Sequence, residues 1–284
     1  MARVLIVGAS GYVGTFLLDL LRRKALEVLP TFFRHPKTQG SDERFLDIRD
    51  PKGVQALLRE FRPHVIFHLA YDMEDLDGSV VRGTRNLLEA WTCTGRQGRF
   101  FYMSTDMVFD GENPPYEETD LPRPVIPYGE AKLKAELMAL EAGACVLRSS
   151  LVYGLSPMDP RTESLRLGLM RGVFDYPYFE DEMRSAIALE DLCLAMAQLA
   201  LAEGPIPPIV HLAGPESLSR YCLACLLAEA MGFDPGPIPR AKLGDTRMPR
   251  PRDLTLEVSL AARLLGWSPR SVKEALKGVR RPVS

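Results

Sequence analysis

The segment Arg3-Val-Leu-Ile-Val7 runs directly into Gly8-Ala-Ser-Gly11-Tyr-Val-Gly14 and then into Thr15-Phe-Leu-Leu-Asp-Leu-Leu21. A continuous apolar run of this length reads as a strand covered on both faces, as in a parallel sheet. The leucine-rich stretch reads as a helix, so the order is strand, glycine loop, helix. The first glycine permits a tight turn, the second lets backbone approach a pyrophosphate, and the third lets helix pack on strand. The helix start adds N–H groups and the positive end of its dipole. Three spaced glycines alone are a weak signal. Here both flanks match, which points to dinucleotide binding by Gly8, Ser10, Gly11, Tyr12, Val13 and Gly14 rather than to a plain turn.

The remainder of the first half keeps alternating strand and helix, the pattern of an α/β doubly wound parallel sheet. A second strand is expected over 26–33, ending Phe32-Phe33-Arg34-His35. A carboxylate at this strand end suits a ribose 2′-hydroxyl and repels a 2′-phosphate, whereas Arg34 can pair with one. That favours NADP(H), with NAD(H) as the alternative; the plain reading of Arg34 is a solvated loop arginine. A third strand over 45–48 places Asp47, beside Ile48, to accept from an adenine amino group. Asp47 equally suits the cap of a helix beginning near Pro51. Val65-Ile-Phe-His68-Leu69-Ala70 reads as another buried strand. Its small last residue lets the chain pass close to a cofactor, so Leu69, Ala70 and Tyr71 join the expected contacts. His68 reads as a core or strand-end histidine, because no metal-like partners are spaced around it. A helix is expected over 79–91, a strand over 99–103 and a sixth strand over 144–148.

The chemistry concentrates in Tyr128-Gly-Glu-Ala-Lys132, read with Ser104-Thr105-Asp106 upstream. A Tyr and a Lys four residues apart share one face of a helix. Free tyrosine titrates near pH 10, too high for efficient proton transfer at neutral pH, and a nearby ammonium favours the phenolate and lowers that value. A hydroxyl from Ser104 or Thr105 could fix the carbonyl oxygen being protonated. Ligands of doubly wound sheets bind beyond the carboxyl ends of strands, where Ser104-Thr105-Asp106 is expected to lie. Alone, Tyr-x-x-x-Lys is more often two exposed residues on a helix; the glycine loop is what changes its weight.

Beyond residue 151 the alternation loosens. The stretch 172–178 is aromatic and irregular, like a lid or pocket wall. A helix is expected from Glu190-Asp191 to about 202, a strand over 209–213, and two helices near 218–231 and 256–265. Cys222 and Cys225 form a Cys-x-x-Cys within a Leu- and Ala-rich helix, which reads as core packing since no second pair accompanies it. Five scattered cysteines argue for free thiols. A net charge of −2 gives no reason to expect nucleic-acid or acidic-membrane binding. No apolar run approaches the roughly 20 residues that span a bilayer, and no signal-peptide pattern opens the chain, so a cytoplasmic location is expected.

With these pieces in place, the chain resembles the extended short-chain dehydrogenase/reductase superfamily from end to end. The markers are Gly8-x-x-Gly11-x-x-Gly14, His68-Leu-Ala, Gly83-Thr-x-Asn86 and Tyr128-x-x-x-Lys132. Within it, Ser104-Thr105-Asp106-x-Val108-Phe109-Asp110-Gly111, Tyr116-x-Glu118-x-Asp120, Tyr128-Gly129-x-x-Lys132-x-x-x-Glu136 and Arg250-Pro251-Arg252-Asp253-Leu254 look like the dTDP-4-dehydrorhamnose reductase branch. The resemblance implies a Rossmann-type sheet with a smaller C-terminal substrate-binding subdomain. Residues 1–150, also receiving about 185–213, would form the NADP-binding domain; 151–184 and 214–284 would bind substrate. It implies reduction of a 4-keto nucleotide sugar by NAD(P)H. Tyr128 would donate the proton, Lys132 would bind the nicotinamide ribose and lower the Tyr128 pKa, and Thr105 would hydrogen-bond the carbonyl.

Two positions depart from the pattern. Val80 stands where the superfamily usually has Asn, and Leu151 follows Arg148-Ser149-Ser150 where the branch commonly has Trp. Leu offers neither the stacking surface nor the N–H donor of Trp. Two other readings stay open. One is an epimerase or dehydratase retaining its cofactor, although Asp106-Met107 lacks the carboxylate pair that dehydratases generally need. The other is a cofactor-binding regulatory subunit, resembling that of methionine adenosyltransferase. No metal is expected in the active site, and a homodimer is plausible from the helices flanking the sheet.

Overall fold

The computed structural model describes residues 2–24, 26–35, 42–96, 98–246 and 249–277. Strand β1 (Ala2–Val7) lies between β2 (Leu26–Phe32) and β4 (Val65–His68), with Val4 paired to Val28 on one side and Val65 on the other, all parallel. Both faces are covered, which is why Val4, Leu5 and Ile6 are fully buried. Helix α1 (Tyr12–Arg22) starts at Gly11 and buries Gly14, Leu17, Leu18 and Leu21 on one face.

The chain departs from expectation after β2. Strand β3 is only Arg44–Phe45, because the chain turns at once. The Asp47 carboxylate accepts the Arg49 backbone N–H at 3.0 Å, and the Asp47 carbonyl accepts from Asp50 N at 3.0 Å. Such an Asx turn takes backbone groups that a ladder would need. Helix α2 (Pro51–Phe61) is capped by Asp50, which accepts from Lys52 N at 3.0 Å, with Pro51 in the first turn. The capping role considered for Asp47 therefore belongs to Asp50.

The expected helix over 79–91 is two elements. Leu76–Arg82 forms a π-helical turn in which Gly83 N–H reaches back to Gly78 O, and α3 (Gly83–Cys93) follows. Asp75 starts the turn by accepting from Gly78 N at 2.8 Å. Strand β5 (Arg99–Thr105) carries the Ser-Thr pair to its very end; α4 (Pro127–Glu141) and β6 (Cys145–Ser149) follow. Four two-residue strands come next: β7 (Val152–Tyr153), β8 (Tyr178–Phe179), β9 (Met183–Arg184) and β10 (Ile187–Ala188). Strand β11 (Ile209–Leu212) then completes a seven-stranded sheet in the order β11-β6-β5-β4-β1-β2-β3. The order reverses between β1 and β4, and a doubly wound sheet opens a ligand crevice at such a switch point.

The chain divides into two units. The first holds residues 1–105, 127–148 and 193–210. Its core packs Leu5, Val7, Ile66, Phe100 and Tyr102 against Leu87, Trp91, Ala135 and Ala139. Val80, standing where Asn was expected, is 1% exposed in this core. Glu136 on α4 and Arg148 on β6 form a buried, two-pronged ion pair with contacts of 2.8 to 3.2 Å. The Arg99 guanidinium donates to the carbonyls of Leu199 (3.0 Å) and Gly204 (2.7 Å), placing positive charge at the C-terminal end of α6 (Leu189–Leu201).

The second unit holds 106–126, 149–192 and 211–284. Helix α5 (Pro160–Arg171) was not anticipated from the sequence. Asp159 caps it, accepting from Arg161 N at 3.0 Å and Thr162 N at 3.2 Å, and Pro160 opens its first turn. Together with α7 (Arg220–Ala230) and α9 (Val272–Lys277) it encloses a second core that includes Tyr153, Leu165, Leu223, Leu227 and Val272. Cys222 and Cys225 lie on α7 as free thiols, with Cys225 packed against this core. Among the described residues no helix is long and apolar enough to cross a membrane, and no cluster of side chains could hold a metal ion.

Candidate active site

The glycine loop sits at the carboxyl end of β1. Gly8 has φ +92°, and a Cβ there would come within 2.8 Å of Ala70 N, so the loops after β1 and β4 approach closer than any side chain permits. Gly14 lies under the loop, where a Cβ would meet Gly8 O at 2.3 Å. Gly11 caps α1 with no side chain of its own, so no cap side chain covers the positive end of the helix. Ser10, Tyr12 and Val13 complete this loop and first turn.

Gly8, Asp47, Ile48, Ala70 and Tyr71 line one cavity within this unit, with Leu69 immediately before Ala70. Five of the contacts expected from sequence are thus brought together from the three loops after β1, β3 and β4, whereas Ser10, Gly11, Tyr12, Val13 and Gly14 do not line this cavity. Arg34 does not line the cavity. Its guanidinium, largely exposed, is bonded to the Asp72 carboxylate. Three residues that sequence reasoning missed also line it: Phe33, Arg49 and Asp72. Arg49 stacks on the Phe33 ring at 4.6 Å, grips the Asp47 carboxylate through two bonds of 2.9 Å, and reaches Asp75 at 3.2 Å. Arg49 holds the Asp47 carboxyl below the usual carboxylate range, and the Gly78 N–H, followed by Arg49, does the same for Asp75. The one available signal was the position of Arg49 two residues after Asp47 in a predicted strand end.

Tyr128 and Lys132 occupy the first turns of α4, one turn apart as the spacing predicts. Lys132 is 4% exposed, and its ammonium donates to the Met103 carbonyl at 2.9 Å. It lies 5.0 Å from the ring centres of Tyr71 and Tyr102 and 5.9 Å from that of Tyr128. The Tyr71 and Tyr128 rings are 5.9 Å apart. An aromatic cage therefore surrounds a cation. Burial pulls the Lys132 pKa down to about 8, partly opposed by the Glu136 carboxylate. At neutral pH the ammonium still predominates. Burial raises the Tyr102 hydroxyl well above its ordinary value, with the charges of Tyr128 and Glu136 adding to the effect. Thr105 ends β5 and is buried; the neighbouring Ser104 hydroxyl is buried without a hydrogen-bond partner among the described residues. His68 is fully enclosed, its Nε2 2.8 Å from Thr84 Oγ1, and burial beside Lys132 depresses its pKa to about 3.

In the second unit, Asp106 is fully buried and gripped by Arg184 through bonds of 2.9 and 2.7 Å, with Ser150 as a further donor. Buried Glu182 accepts from Arg250 at 2.7 Å and Arg220 at 3.5 Å, with Arg184 3.6 Å away. The Asp106 carboxylate is thereby held in a buried pair with Arg184. Leu151 lines a small, mostly apolar cavity with Tyr153, Leu165 and Tyr176.

The sequence model of the RmlD substrate binding domain matches residues 2–283. The chain belongs to this RmlD family. Among its relatives, methionine adenosyltransferase 2 subunit beta of Xenopus laevis is 30% identical over 90% of this chain and 80% of its own length. The probable low-salt glycan biosynthesis reductase of Haloferax volcanii is 27% identical over 95% of each chain. The crystal structure of dTDP-4-dehydrorhamnose reductase from Bacillus anthracis in complex with NADP superposes with a TM-score of 0.79, covering 98% of each chain at 22% identity. The fold is thus that of the extended short-chain dehydrogenases/reductases. RmlD-family membership accounts for the end-to-end spread of motifs, from the glycine loop to Arg250-Pro251-Arg252.

Proposed function

We propose that this chain reduces the 4-keto group of a nucleotide-linked sugar at the expense of a nicotinamide dinucleotide, with dTDP-4-dehydrorhamnose as the leading substrate. The observation that carries the proposal is the Tyr128–Lys132 pair, with a buried ammonium caged by Tyr71, Tyr102 and Tyr128. The RmlD-family match and the named reductases among the similar proteins support it.

Features of the glycine loop and the cavity beside it support dinucleotide binding. Gly8 admits close backbone approach, the α1 N-terminus is uncovered by any cap side chain, and Asp47 offers a carboxylate to an adenine amino group. Gly8, Ser10, Gly11, Tyr12, Val13 and Gly14 would hold the pyrophosphate, and Asp47, Ile48, Leu69, Ala70 and Tyr71 would line the adenosine side. Arg34 favours NADPH, with NADH as the alternative. Bound, the dinucleotide supplies the hydride that adds to the carbonyl carbon.

The chain's own residues handle the proton. As the carbonyl oxygen gains negative charge, a positioned hydroxyl stabilises it and transfers a proton to it; Tyr128 has that role, and Thr105 holds the same oxygen. Lys132 keeps positive charge near the Tyr128 ring and so lowers the cost of the phenolate left behind. Asp106-Met107 lacks the carboxylate pair that dehydratases generally need, and the ion pair of Asp106 with Arg184 favours the reductase over a dehydratase. We assign the dinucleotide to the first unit and the sugar nucleotide to the second.

A second reading has its own support: the methionine adenosyltransferase 2 beta subunit relative is named as a subunit. A spectrophotometric assay separates the two. Ketone-dependent oxidation of NADPH that disappears in Tyr128→Phe supports the reductase. Tight NADPH binding without oxidation, together with copurification of an adenosyltransferase, supports the subunit.

A further inference from the structure

The rim of the dinucleotide cavity carries more negative charge than a site for a 2′-phosphate should. Among the described residues, Arg34 faces Asp72 and, at 3.9 Å, Glu74; Arg49 faces Asp47 and Asp75. Four carboxylates thus surround two guanidiniums. Arg49 is doubly clamped and stacked on Phe33, so it is not available to swing toward a new anion. Arg34 has its hydrogen bond to the Asp72 carboxylate, with Glu74 3.9 Å away and the Phe33 ring centre 5.9 Å from its guanidinium carbon.

Asp72 differs from the other acids in where it stands. Its side chain is 18% exposed, it lines the cavity itself, and it projects from the loop joining β4 to the π-helical turn. Its backbone N–H is fixed by Ser79 Oγ at 2.8 Å and its carboxylate accepts from Glu74 N at 3.1 Å, so the carboxylate is anchored rather than trailing in solvent. A 2′-phosphate reaching Arg34 must displace this carboxylate and lie close to it. A ribose 2′-hydroxyl meets no such conflict, because an anchored carboxylate accepts its hydrogen bond.

We infer that Asp72 sets the choice between NADPH and NADH by competing with the 2′-phosphate for Arg34. Arg34 alone favours NADPH; Asp72 tempers that preference and lets NADH compete. The inference rests on the cavity being the dinucleotide site proposed above.

Direct binding measured by tryptophan fluorescence or calorimetry, without turnover, tests it. Asp72→Asn keeps the size of the side chain and removes its charge. It tightens NADPH by about tenfold, the scale of one charge-assisted hydrogen bond, while NADH changes by less than about twofold. Arg34→Ala, a change at a largely exposed side chain, abolishes the gain when combined with Asp72→Asn. An unchanged NADPH/NADH ratio in Asp72→Asn overturns the inference alone. So does a gain that survives in the Arg34→Ala background. If the wild type binds neither cofactor, the dinucleotide reading falls and this inference with it.

Discussion

Lys132 carries its ammonium 5.9 Å from the centre of the Tyr128 ring, one helical turn away, and almost out of reach of water. Burial has brought its pKa to about 8. The positive charge needed beside Tyr128 is therefore lost in mildly alkaline solution. The pH profile of kcat/KM falls on its alkaline side with an apparent pKa near 8. Lys132→Met lowers kcat by roughly 10²- to 10⁴-fold and removes that limb. A wild-type profile flat to pH 10 contradicts this.

The same lysine bears on stability with a definite sign. Its folded pKa lies below the unfolded value, so below about pH 8 the fold bears the full cost of a buried charge, and that cost is relieved as pH rises toward 10.5. Lys132→Met therefore melts no lower than wild type at pH 7, despite its loss of activity. Differential scanning calorimetry reads this, and a marked drop in Tm contradicts it.

Glu136 and Arg148 are buried together, at 0% and 2% side-chain exposure. Removing one partner leaves the other charge unpaired in the core. Glu136→Gln or Arg148→Met costs about 3–5 kcal/mol, whereas the double change to apolar residues costs less than the sum of the single changes. Urea unfolding of the two single variants and the double variant measures the coupling.

His68 gives an acid-sensitive contribution. Its folded pKa of about 3 lies below the unfolded value near 6.5, so the unfolded chain binds the extra proton between these limits. Stability contributed by neutral His68 is complete above pH 6.5 and declines as pH falls toward 3, by at most about 1.4 kcal/mol per pH unit. His68→Gln flattens the fall in urea midpoint between pH 7 and pH 5.

Much of the molecule is legible in local sequence because local sequence decides it. The apolar run 3–7 can only be a strand covered on both faces, and Tyr128 and Lys132 share a helix face by spacing alone. Pro160 behind Asp159 was a readable helix start that the aromatic, irregular neighbourhood obscured. Other features depend on partners far apart in the chain. Arg34 lies 38 residues from Asp72 and Arg184 lies 78 from Asp106, and no periodicity signals such pairs. Asp47 suits an adenine contact or a helix cap with equal reason from sequence; Asp50 takes the cap, and Arg49, two residues on, grips the Asp47 carboxylate.

Deuterium tracing follows the hydride itself. The protein is incubated with NADPH deuterated at C4 of the nicotinamide ring and with dTDP-4-keto-6-deoxy sugar, wild type beside Tyr128→Phe, and the product is read by NMR. The reductase assignment predicts deuterium on C4 of the sugar with wild type and no product with Tyr128→Phe. Unreacted ketone alongside bound, unconsumed NADPH in the wild type would contradict it and turn the search to a partner protein or another sugar.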